Sequence, residues 1–104
     1  VNDALPGKVG GMDVDFVINQ AKTHRLLHIE QKPKGARISV GASLTYREYV
    51  RAGFDAWAMW DMQDGTVRQG FFDANGRIQD IEHMEAKQLA SRVRAWWDSG
   101  LEEE

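Results

Sequence analysis

Cysteine is absent from the 104-residue chain, so no disulfide braces it and no thiolate holds a metal. A reducing compartment, the cytoplasm, is the expectation. No apolar run approaches the roughly 20 residues that span a bilayer, and no charged-then-apolar leader opens the chain, so no membrane partner is expected. His24 and His28 are four apart but fall on a predicted loop and strand rather than on a helix, and His83 stands far from both. Ser39, Ser43, Ser91 and Ser99 lie in no nucleophile-elbow context, so neither a helical zinc site nor a serine nucleophile is expected. The glycines of residues 1–12 are followed by no Gly-Lys-Ser/Thr and no helix start, which excludes a P-loop. Repeats and low-complexity tracts are also lacking.

An overall basic charge is missing too, the formal net charge being −3. Resolved along the chain, it is uneven. Residues 1–19 carry one lysine against three aspartates. Residues 20–51 carry seven cations against Glu30 and Glu48, and residues 52–104 carry five cations against eleven acids. The basic third is suited to phosphates.

What is present centres on Asp13 to Lys32. Val14–Ile18 and Leu26–Glu30 are apolar runs flanking a polar connection at 19–25, which predicts strand, loop and strand. Side chains alternate faces along a strand, so Asp13 and Asp15 share one face, and His28, Glu30 and Lys32 share one face of the second strand. Acids in mid-strand are disfavoured by propensity and costly to desolvate, so the cluster calls for a chemical reason. A hard divalent cation supplies one. Magnesium takes one or two carboxylates and keeps several waters, and Asp15, Glu30 and the backbone carbonyl of Gln31 offer three oxygens. Lys32 would orient the attacking water and offset charge building on a phosphate.

The glycine, acid and apolar run Gly11-Met12-Asp13-Val14-Asp15-Phe16-Val17-Ile18, with Leu26-Leu27-His28-Ile29-Glu30-Gln31-Lys32, resembles the PD-(D/E)xK nucleases. The likeness is to the small virus-type replication-repair nuclease and Holliday-junction resolvase branches, and it covers about Gly10 to Trp60. It implies a restriction-endonuclease-like α/β core, magnesium or manganese as cofactor, and structured or branched DNA as substrate for an endonuclease of a kind phages encode. Asp15, Glu30 and Lys32 match the catalytic set, with Asp15, Glu30 and the Gln31 carbonyl on the metal and Asp13 and His28 behind them. Two departures stand out. Relatives often have a helix before the first strand, whereas residues 1–12 read as a flexible arm, and the glutamine common after the Ile38–Gly41 segment is replaced by Ala42.

Lys22, Lys34, Arg37, Arg47 and Arg51 are the candidate phosphate contacts. Ser43 reads as the N-cap of a helix ending at Gly53, with Leu44, Tyr49 and Val50 toward the sheet. Phe54–Met62, apolar on both faces, reads as a central strand parallel to the motif strand, entered through a helical crossover. Asp64-Gly65 and Asn75-Gly76 predict turns around strands at 66–72 and 77–81. Met84, Leu89, Val93, Trp96 and Trp97 mark a last helix, Met84 to Asp98. The expected whole is a single α/β domain at 13–98, with a mixed sheet, a strand–helix–strand crossover and a C-terminal helix, between the arm and an acidic tail at 99–104. Adjacent tryptophans and small size suggest a homodimer. Two other readings stay open: a catalytically silent nucleic-acid-binding module on the same fold, and a protein-interaction domain whose E-x-K is coincidental.

Overall fold

The computed structural model describes residues 14–102. The expected arm at 1–12, and Asp13, lie outside the described residues. Five strands, β1 (Val14–Gln20), β2 (Arg25–Pro33), β3 (Asp55–Asp61), β4 (Thr66–Phe72) and β5 (Ile78–Glu85), form one sheet in chain order. A 12-residue helix, α1 (Val40–Arg51), joins β2 to β3, and α2 (Ala86–Glu102) closes the chain. Only β2 and β3 run parallel; the other neighbours are antiparallel hairpins. The sheet is therefore mixed, with a helix-bearing crossover at its centre, as the order of patterns required.

Alternation along β2 and β3 sends residues to two separate cores. Leu27, Ile29, Trp57 and Met59 meet Val67, Met84 and Trp96, with Leu89 and Val93 of α2 packed on them. Ala56 and Ala58 meet Tyr46 of α1 and Phe72 on the other face. Each helix covers one face, so β3 is buried over four consecutive residues, Ala56 to Met59. That explains why its sequence shows no polar alternation.

Helix starts differ from the sequence expectation. Ser39, not Ser43, caps α1: its backbone is extended and its hydroxyl accepts the Ala42 N–H at 3.0 Å. Ala42, Tyr46, Tyr49 and Val50 lie on the sheet side, and Leu44, expected there, is 46% exposed. Met84 belongs to β5 rather than α2, because a register shift opposite Gln69 and Phe71, with Asp80 left-handed at φ 55°, lets the strand run on. Gly70 faces that bulge, where a Cβ would lie 2.5 Å from Ile78 Cγ2. Residues 99–102, expected as part of an acidic tail, belong to α2, and residues 103–104 lie outside the described residues.

Polar ties anchor α2 near both ends. Arg92 donates to Gln69 Oε1 at 2.7 Å and pairs with Glu82. Further along, Gln20 donates to the Trp97 carbonyl at 2.8 Å, and Arg25 donates to the Trp96 carbonyl while stacking over the Trp96 ring. Trp96 is core and Trp97 packs half-buried against it. The tryptophan pair thus packs into the chain's own interior. Among the described residues, no helix is long and apolar enough to cross a membrane.

Candidate nuclease-like site

The β1–β2 hairpin pairs Asp15 with Glu30, so the two acidic positions of the motif are direct cross-strand partners. Glu30 lies near the carboxyl end of β2, where the parallel pair opens toward α1. Its side chain is 8% exposed and that of Lys32 11%, with Lys32 Nζ 3.4 Å from Glu30 Oε2. Tyr46, reaching down from α1, donates its hydroxyl to Glu30 Oε1, and the Tyr46 hydroxyl oxygen lies 3.0 Å from His28 Nε2. The His28 ring meets Tyr46 edge-on, with centroids 4.9 Å apart.

These contacts answer the desolvation problem of a carboxylate inside a sheet. A buried anion is tolerated when it is hydrogen-bonded and paired, and Glu30 has a phenol on one oxygen and an ammonium on the other. His28, Glu30 and Lys32 share the α1 face, as the period of two requires, and α1 supplies the fourth member. Tyr46 was not among the sequence candidates. The signal for it was the 42–46–49–50 apolar spacing, which becomes legible only once Ser39 is taken as the cap.

The candidate metal ligands are the Asp15 carboxylate, the Glu30 carboxylate and the Gln31 carbonyl, and Gln31 is the register partner of Val14 and Met59. All are hard oxygen donors of the kind magnesium takes. Among the described residues no group of three or more His, Asp or Glu side chains gathers as a metal site, and Asp13 lies outside them. Ala42 sits in the first turn of α1, packed on the core one helical turn before Tyr46.

The five candidate phosphate contacts do not form one surface. Lys22 lies in the short 3-10 turn Ala21–Thr23, at the opposite end of β2 from Pro33. Arg47 Nε is 3.0 Å from Glu48 Oε2, and Arg51 donates to the Ala74 carbonyl at 2.8 Å. Arg51 thereby ties α1 to the β4–β5 turn, whereas Arg47 pairs within α1. Lys34 and Arg37 line a cleft of about 750 Å³ beside the E-x-K strand, together with Arg68 and Arg77 of the β4–β5 hairpin. Those last two came from the acidic part of the chain and were not candidates. In comparison with known proteins, no family model, no curated protein and no solved structure matches this chain.

Proposed function

We propose that this chain is a metal-dependent nuclease with a restriction-endonuclease-like core, hydrolysing phosphodiester bonds in structured or branched DNA with magnesium or manganese. The observation that carries this reading is the buried Glu30–Lys32 pair at the carboxyl end of β2, with Asp15 as Glu30's register partner. Asp15, Glu30 and the Gln31 carbonyl would hold the cation. When bound, it supplies Lewis acidity toward the phosphate and the water. Lys32 adds a fixed positive charge where charge develops on the phosphate, and Tyr46 fixes the direction of the Glu30 carboxylate. The packed α1 face limits water around both.

The test is a magnesium and manganese titration followed by calorimetry and melting temperature, with cleavage scored on branched DNA and supercoiled plasmid. Cation binding should raise the melting temperature through linkage. Asp15→Asn or Glu30→Gln should remove that rise and cut cleavage by roughly a hundred-fold or more. Lys32→Ala should keep the rise and lose cleavage, because the donors stay while the charge goes. Asp13→Asn should do less than Asp15→Asn. If the unsubstituted chain binds neither cation, with or without DNA, the nuclease reading is wrong.

Two features favour a second reading. Both oxygens of Glu30 already have protein partners, and a methyl stands at Ala42 where the resembled family has an amide. A catalytically silent nucleic-acid-binding module would show a mobility shift without cleavage under the same titration.

A further inference from the structure

Of the twelve lysines and arginines among the described residues, the eleven other than Lys22 sort by their ion pairs. Arg25, Lys32, Arg47, Arg51, Lys87, Arg92 and Arg94 each stand in an ion pair with a carboxylate. Lys34, Arg37, Arg68 and Arg77 stand in none among the described residues. All four are exposed, and all four line the same cleft. No acidic residue is among the cleft's described lining residues. Four cations around one cleft, with Asp73 acting on Arg77 at its edge, repel one another, and an anionic ligand relieves that repulsion.

The cleft is more than a charged rim. Its walls are mostly apolar, with Trp60 and Ile78 among them, and its volume lies within the range of roughly 300–1,000 Å³ typical of small-molecule sites. Trp60 is half-buried and held by its indole N–H, which donates to the Ala36 carbonyl at 2.7 Å. The far wall is fixed as well. Gly76, at φ 80°, packs so closely on α1 that a Cβ there would lie 2.5 Å from the Ser43 carbonyl oxygen. Register places the cleft beside the candidate site, because Trp60 is the cross-strand partner of Lys32 on one side and of Arg68 on the other. Neighbouring strands are about 4.8 Å apart, so Arg68 starts roughly 10 Å from the Lys32 backbone.

We propose that this cleft binds an unpaired stretch of nucleic acid next to the cleaved phosphate, its phosphates on Lys34, Arg37, Arg68 and Arg77 and a base against Trp60. Cations alternating with an aromatic and aliphatic wall suit a strand whose base faces are open; in a duplex those faces are stacked and out of reach. An acidic peptide would satisfy the cations but leave the indole wall without a matching surface. The inference deepens the nuclease reading and rests on it for the position of the cut. Binding in the cleft needs neither the cation nor cleavage.

The experiment measures anisotropy of labelled oligothymidylate, and of a blunt duplex of equal length, in chelator so that no cleavage intervenes. Oligothymidylate should bind tighter than the duplex. Arg68→Ala with Arg77→Ala should weaken it by roughly ten-fold or more, and the slope of log affinity against log salt should fall by about 0.7 per removed cation. Arg94→Ala, on the exposed side of α2, is the control and should match the unsubstituted chain. Equal affinity of the double variant, duplex binding as tight as single strand, or displacement by polyglutamate as effective as by oligothymidylate would each overturn the cleft assignment. If oligothymidylate binds through Arg68 and Arg77 while no cation supports cleavage, the cleft assignment stands and the nuclease reading falls. Cleavage of branched DNA that is indifferent to the double variant defeats the cleft assignment alone.

Discussion

The two faces of the sheet are made from alternate residues of the same strands, yet they do different work. Toward α2, Leu27, Ile29, Trp57, Met59 and Val67 form the larger core, and the cleft of about 560 Å³ beside it has Asp61 as its one charged lining residue among those described. Toward α1, the same β2 presents His28, Glu30 and Lys32, and the cleft there is rimmed by four cations. One side is suited to stability and the other to an anionic ligand. Binary patterning thus carries both tasks in one strand, and a one-residue slip of register would exchange them.

Several substitutions test how separable the faces are. The largest effect on stability should come from Leu27→Ala, which empties a side chain with no exposed surface. A loss of about 2–5 kcal/mol is expected in urea unfolding, with cation binding by the surviving folded fraction unchanged. Glu30→Gln, three residues away, should do the reverse, abolishing the cation response while the chain stays folded. If the two variants resemble each other in both measurements, the faces are not separable.

Tyr46→Phe should come next. It leaves the ring packed on Phe72 and removes only the hydroxyl that joins His28 to Glu30. Loss of a hydrogen bond to a charged group costs about 1.5–3 kcal/mol, and loss of an orienting partner lowers metal affinity or activity by roughly 10–100-fold. A variant with unsubstituted cation affinity and rate would show that Glu30 is held by Lys32 and the strand alone. Ser39→Ala is smaller, about 1 kcal/mol, since it removes one cap from α1. Thermal melting should register it with no change in the chemistry of Glu30.

The smallest effect concerns a turn at the edge of the basic cleft. Hydrogen bonds from the backbone N–H groups of Arg77 and Asn75 hold the Asp73 carboxyl below its ordinary value of 3.8, with help from the Gln79 side chain and the Arg77 charge. A lowered folded-state value means that the unfolded chain binds the proton more readily. The contribution is therefore present above about pH 4 and is lost as pH falls through the lowered value. Asp73→Ala should flatten that acid limb of the stability profile, read by melting temperature against pH, and leave the neutral region little changed.

Local patterns carried much of this architecture. The alternation around Asp15 and Glu30 placed both on strands, and their direct pairing followed from a short connection between them. Asp64-Gly65 and Asn75-Gly76 marked real turns, with Gly65 and Gly76 at φ 88° and 80°. Failures came where two local signals competed. Ser39 and Ser43 are both acceptable caps, and choosing Ser43 leaves Ala42 outside the helix and shortens the 42–46–49–50 stripe that meets the sheet. Met84 fits a helical stripe or the end of a strand equally well, until a bulge keeps β5 extended.

By itself, then, the sequence determined which stretches alternate, which turn, and that two acids and a lysine belong to one hairpin, because those properties depend on residues within a few positions of one another. Only the tertiary structure decided that Tyr46 would meet Glu30 and that Arg68 and Arg77 would join Lys34 and Arg37. Those meetings span 16 residues in the first case and the order of strands across a sheet in the second. Long-range contacts of this kind are set by how helices pack on a sheet and which strands lie side by side, and no window along the chain contains both partners.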